Sequence, residues 1–193
     1  MKLPLFAAVA AASLFATAAP AQSNLKTAVF AGGCFWSVEK FFEATPGVVS
    51  AVSGYAGGSK PRPTYEDHEG YVEAVKVTYD PAKVSYPQLV YRFFRNIDPT
   101  DPNGQICDKG PSYMTSIFVS NAQERQAAEA AKANAGKVIG AKIATTVRNA
   151  STFYSAEGYH QDFAKKNPAR YEAYRGGCGR DRVIRVVWGG AKG

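Results

Sequence analysis

KTAVFAGGCFWSVEKFFEA, from Lys26 to Ala44, decides how this chain folds. Lys26–Ala31 reads as a short strand, and Gly32-Gly33 breaks it. From Cys34 to Ala44, apolar residues fall at 34, 35, 38, 41 and 42, a helical spacing that Pro46-Gly47 ends. A strand that turns through two glycines into an amphipathic helix calls for a sheet with helices packed on it. Cys34 falls at the helix start, where unpaired N–H groups and the macrodipole favour an anion, so its thiol pKa is expected to fall. The alternative is a buried, inert cysteine.

Outward from this stretch, strands are predicted at Val48–Tyr55, Tyr71–Tyr79, Tyr113–Val119 and Lys142–Val147. Helices are predicted at Tyr86–Asn96, at Asn121–Ala135 before Gly136, and at Ala156–Lys166. The first of these takes Ser85 as N-cap, with Pro87 in its first turn. Gly54–Tyr65 and Asp98–Pro111 are loops rich in Gly and Pro. Arg175–Gly193 is a Gly- and Arg-rich tail, expected to be mobile, with one more strand candidate at Val183–Trp188. The sum is a single α+β domain, a mixed β-sheet with packed helices and a Gly-rich C-terminal tail.

The composition fits a folded domain: 193 residues, 46% hydrophobic and 20% charged, which excludes a disordered segment or a coiled coil. Lys2, the uncharged run Leu3–Ala19 and the small-x-small Ala19-Pro20-Ala21 read as a signal peptide over residues 1–21, leaving a mature chain 22–193. The run is short for a membrane span. The protein is therefore expected to be exported, periplasmic or secreted, with no membrane insertion after cleavage. The net charge of +7 includes tail arginines Arg170, Arg175, Arg180, Arg182 and Arg185, which read as a solvated basic face. No groove-reading or base-stacking motif points to nucleic acid.

Three cysteines, Cys34, Cys107 and Cys178, leave at least one thiol unpaired or in exchange. Their spacing, with only His68 and His160 beside them, fits no zinc motif. A surplus thiol in an oxidising compartment points to redox chemistry. In Tyr71–Tyr79 the carboxylate of Glu73 shares a face with Val75 and Val77. If that face is core, burial raises its pKa and makes it a general acid; if not, Glu73 is an edge residue paired with a base. Asn103–Tyr113 gathers Cys107, Asp108 and Tyr113 in one polar loop. His160-Gln161 reads as structural. Cys178, between glycines and arginines, suits a thiol that moves to meet another sulfur.

GGCFW, SGYAGG, PTYED, VEAVKVTYDP, DPTDPNGQ-x-CDKGPSY and FYSAEGYHQDFAKKNP follow in order. With them the chain resembles the A-type peptide methionine sulfoxide reductases (MsrA) from about Val29 to Cys178. The resemblance implies an MsrA-like α/β plait and reduction of the S epimer of methionine sulfoxide, free or in proteins. It implies no bound metal, flavin or nicotinamide, a monomer, and an external thioredoxin-like reductant that dithiothreitol replaces in vitro. Carried over residue by residue, Cys34 is the nucleophile, and Phe35 and Trp36 form the pocket for the substrate's S-methyl group. Tyr65 and Tyr113 are phenols near the sulfoxide oxygen, Glu73 is the general acid, Asp108 organises the site, and Cys178 is the resolving cysteine. Ser37, Cys107 and a shorter stretch between Tyr65 and Glu73 depart from the common pattern. Cys107 is either a relay thiol or a bystander. Two other readings compete: a Cys-His hydrolase using Cys34 and His160, and a basic binding module with structural cysteines.

Overall fold

The computed structural model describes residues 24–189. The expected signal peptide lies outside the described residues. One six-stranded sheet organises the chain: β1 (Lys26–Ala31), β2 (Val48–Ala56), β3 (Val72–Tyr79), β6 (Ser116–Val119), β7 (Thr146–Asn149) and β8 (Tyr154–Ser155). Their order is β7-β6-β1-β3-β2-β8. β6 and β7 run parallel and every other pair is antiparallel, so the sheet is mixed. A two-stranded hairpin, β4 (Gly104–Gln105) with β5 (Asp108–Lys109), stands apart. The helices are α1 (Phe35–Glu43), α2 (Tyr86–Arg95), α3 (Ala122–Ile139), α4 (Phe163–Lys166), α5 (Pro168–Cys178) and α6 (Arg180–Val187).

The main core lies between one sheet face and the helices. Phe30, Val75 and Val77 of the sheet meet Phe35, Val38 and Phe42 of α1 and Leu89, Val90 and Phe93 of α2. The opposite face carries a smaller cluster of Ala31, Ala56, Val72, Ala74 and Phe118. α2 begins as its sequence dictates: the Ser85 side chain accepts from the Gln88 N–H, the Gln88 side chain accepts from the Ser85 N–H, and Pro87 sits in the first turn.

The two glycines of the opening stretch are there for close approach. A Cβ on Gly32 would lie 2.9 Å from Val38 Cγ2, and one on Gly33, at φ +80°, would lie 2.5 Å from Gln105 Cβ. Gln105 in turn is locked: it accepts from the Asp98 N–H and donates to the Asp98 carbonyl, both at 2.9 Å. The 98–110 loop is thus docked on the strand–helix turn, with Asp108 three residues further on.

Several expected elements differ. Through residue 189 the tail is helical, and Val183–Val187 lies in α6, with Trp188 as its C-cap, instead of forming a strand. Ile184, Val187 and Trp188 pack on the core, while Val186 is exposed, which is a helical repeat. Gly136 sits inside α3, which ends at Gly140 in a left-handed conformation, φ 73°. Of Ala156–Lys166 only α4 is helical, preceded by turns that hold His160. A 3-10 turn at Pro111–Tyr113 replaces the start of the expected strand, and β7 starts at Thr146 rather than Lys142.

Candidate active site

Cys34 is the N-cap of α1, three residues past the end of β1, and is 7% exposed. Its neighbour Phe35 donates its backbone N–H to Glu73 Oε2 at 2.9 Å. The start of the helix therefore donates an otherwise unpaired N–H to a carboxyl oxygen. Glu73 stands on the core-facing side of β3 opposite Tyr55, only 2% exposed. Between its two sequence readings, the buried one holds. Burial pushes its carboxyl up to about 8; the nearby Asp108 charge adds to this and the Phe35 N–H opposes it.

The expectation that the Cys34 thiol falls is corrected. Burial pushes it up to about 12, with Glu73 and Asp108 repelling the thiolate. A hydrogen bond with the Tyr174 side chain and one with the Trp36 backbone pull the other way and lose. One turn of helix dipole is the smaller effect once solvent is excluded and two carboxylates face the sulfur.

Tyr65 and Tyr113 share a side-chain hydrogen bond, and the charges of Cys34 and Glu73 reach both. Burial raises both phenols. Glu157 fixes the Tyr65 segment: it accepts from the Tyr65 N–H at 2.8 Å and from the Tyr55 hydroxyl at 2.9 Å. Its pKa is held low, although burial opposes the hydrogen bonds it accepts. Trp36 stacks flat on Phe163, centroids 3.7 Å apart, and donates its Nε1–H to His160 Nδ1 at 3.0 Å. Phe35 also rests against His160, at 4.8 Å. His160 thus orients the aromatic pair rather than serving as a base for Cys34, which removes the structural ground for a Cys-His hydrolase. Gln161 is structural, bridging the Ser53 N–H and carbonyl.

Cys107 and Cys178 form a disulfide, Cα atoms 5.3 Å apart, and Cys34 is free. Cys178 is thus held at the end of α5 and not on a loose tail. An Asp108 carboxylate oxygen lies within 4.8 Å of both sulfurs. With the sulfurs joined to each other, this cluster has no thiolate to offer a metal.

One residue escaped the sequence reading, and another was read there as solvated. Tyr174, on α5, donates its hydroxyl to Asp108 Oδ2 at 2.5 Å, hydrogen-bonds Cys34 and meets the Trp36 ring edge-on at 6.0 Å. Arg180 is no solvated cation: at 2% exposed it donates from Nη2 to the Gly32 carbonyl at 3.3 Å and the Asn96 carbonyl at 3.0 Å. The only hint of Tyr174 in the sequence is its place four residues before Cys178, which puts both on one side of a helix.

A buried thiol, a carboxyl that stays protonated near neutrality and phenols around one point suit proton-assisted attack on an oxygen-bearing centre. The family model described as peptide methionine sulfoxide reductase matches residues 26–192. The chain is 51% identical over 164 residues to peptide methionine sulfoxide reductase MsrA 2 of Rhizobium meliloti, covering 84% of this chain and 83% of that one. It is 51% identical over 192 residues to peptide methionine sulfoxide reductase MsrA 2 of Caulobacter vibrioides, covering 96% and 97%. Among solved structures it is similar to methionine sulfoxide reductase A of Corynebacterium diphtheriae, with 32% identity, TM-score 0.68 and 77% of each chain covered. The protein therefore belongs to the peptide methionine sulfoxide reductase family and is an oxidoreductase that acts on methionine sulfoxide.

Proposed function

We propose that the enzyme reduces the S epimer of methionine sulfoxide, free or in proteins, with Cys34 as nucleophile. The observation that carries this is the pairing of a buried Cys34 thiol with a Glu73 carboxyl still protonated at pH 7. The epimer follows from the family resemblance. Phe35 and Trp36, fixed by His160 and Phe163, would enclose the S-methyl group.

A sulfoxide sulfur is electrophilic, but its oxygen leaves poorly without a proton. Glu73 gives that proton as the Cys34 sulfur attacks, and Tyr65 and Tyr113 hydrogen-bond the oxygen as charge grows on it. The thiol proton passes to the Glu73 carboxylate, so protons balance: thiol and sulfoxide become sulfenic acid and methionine. A neutral Glu73 also no longer repels the developing thiolate.

One thiol of the Cys107–Cys178 pair then attacks the Cys34 sulfenic acid, forming a disulfide and releasing water. The other thiol takes over that disulfide, freeing Cys34 and leaving Cys107 joined to Cys178, the bonding found in the fold. This favours the relay role for Cys107. A thioredoxin-like dithiol reduces the pair. The signal-like composition of residues 1–21 supports a site of action outside the cytoplasm for enzyme and donor, and the family resemblance is the ground for reading the enzyme as a monomer. The test is turnover of separate S and R methionine sulfoxide with dithiothreitol, in the parent and in Cys34→Ser. The parent is expected to reduce S alone and Cys34→Ser neither. Equal rates on R, or full activity in Cys34→Ser, would overturn the reading.

A further inference from the structure

The reduction half of the cycle uses Glu73. It leaves Asp108 and Tyr174 without a chemical part, although both face the sulfur. Tyr174 connects the two ends of the thiol chemistry: its hydroxyl is hydrogen-bonded to Cys34 and, at 2.5 Å, to Asp108 Oδ2. An Asp108 oxygen in turn lies within 4.8 Å of the Cys107 and Cys178 sulfurs. α5 carries Tyr174 and Cys178 four residues apart, so the helix that brings the second-half thiol also brings the phenol.

We propose that Tyr174 and Asp108 form a proton relay for the resolving step, with Tyr174 as the acid that protonates the oxygen leaving Cys34. This rests on the sulfenic acid reading above. The attacking thiol gives its proton to the Asp108 carboxylate, and its sulfur attacks Cys34. As the S–S bond forms, the S–O bond breaks, and the departing oxygen takes the Tyr174 hydroxyl proton and leaves as water. Tyr174 recovers a proton from Asp108. The attacking sulfur supplies the electron pair, both sulfurs end at the disulfide level, and no further oxidant or reductant enters. Hydroxide is a poor leaving group from sulfur, so this is where an acid is needed. Glu73 is engaged by the Phe35 N–H, whereas Asp108 is the carboxylate grouped with the Cys107 and Cys178 sulfurs.

Pre-reduced enzyme is mixed with one equivalent of methionine sulfoxide and no reductant, then trapped with dimedone at timed intervals. Mass spectrometry of the Cys34 peptide reads how fast the trappable species decays, counted only on the fraction that formed. Tyr174→Phe keeps the ring against Trp36 and removes only the hydroxyl; decay is expected to slow about 10²-fold. Asp108→Asn is expected to slow it similarly, and the double variant no further than either alone, since both act in one relay. Thermal unfolding and peptide mapping of the re-formed Cys107–Cys178 disulfide check that the variants fold. Decay at the parent's rate in Tyr174→Phe, or additive slowing in the double variant, would overturn the relay. If the parent itself gives methionine but no Cys34 adduct, the sulfenic acid reading fails and the relay fails with it; only a parent adduct with unchanged Tyr174→Phe decay sinks the relay alone.

Discussion

Glu73 is the residue on which the proposed reduction chemistry turns. Its carboxyl is kept protonated to about 8 chiefly because solvent is excluded, and the Phe35 N–H fixes its orientation. Glu73→Gln keeps an oxygen for that N–H but has no proton to give. Its kcat is expected to fall ~10²–10⁴-fold with KM nearly unchanged. The sign of the pH dependence follows from the reacting form, in which thiol and carboxyl are both protonated. Parent kcat should fall as pH rises through about 8, and the Gln variant should lack that limb; a retained limb would assign it to another group. Glu73 was legible in the sequence because strand alternation placed it with Val75 and Val77, although which face was core was not. The direction of the Cys34 shift was not legible. It depends first on burial, then on carboxylates from β3 and the 98–110 loop, and only the tertiary fold brings these to the sulfur.

The tail helices are the elements that close the site. α5 lays Tyr174 over Cys34, and α6 is anchored by Trp188, which donates Nε1–H to the Ile97 carbonyl at 3.0 Å and lies under Arg95 at 4.5 Å. Arg180, at the start of α6, ties the same junction to Gly32. Truncating a buried tryptophan costs roughly 3–5 kcal/mol where the site cannot collapse. If α5 and α6 open together, Trp188→Ala should raise Cys34 alkylation in the oxidised protein by about tenfold or more. An unchanged rate would mean that tail opening does not limit access. This region was the hardest to read. VIRVVW is β-branched and suggests a strand, yet Ile184, Val187 and Trp188 follow the helical repeat once the helical core offers them a surface. Gly176-Gly177 suggested mobility, whereas α5 continues through both to Cys178. The opening strand, the GG turn and α1 were legible because their periodicity and breakers agree with their packing.

At the scale of the whole molecule, the buried acids set how stability responds to pH. Glu39 on α1 is 2% exposed, accepts the Asp162 N–H at 3.0 Å and is pushed up to about 7 by burial first, then by the Glu43 charge. With Glu73 at about 8, two carboxyls hold protons in the fold that the unfolded chain has already released. Their contribution is complete below the unfolded value near 4.5 and is lost as pH rises through 7 and 8. His160 works in the other direction: burial lowers its pKa, so it weakens the fold only as pH drops below its ordinary 6.5. The low-lying Asp101, Glu157 and Asp162 are fully ionised above that point and contribute no slope there. The window from about pH 6.5 to 8 is therefore dominated by Glu39 and Glu73, the two carboxyls raised furthest; Asp108 is raised as well, by burial. Together Glu39 and Glu73 should remove roughly 2 kcal/mol of unfolding free energy across it. Urea unfolding at the two ends of the window reads this directly. Glu39→Gln, which keeps an acceptor for the Asp162 N–H, should flatten the decline in part, and Glu73→Gln should flatten more of it because its carboxyl is raised further. A midpoint that stays level or climbs across the window in the parent would mean that these carboxyls ionise inside the fold as readily as in water.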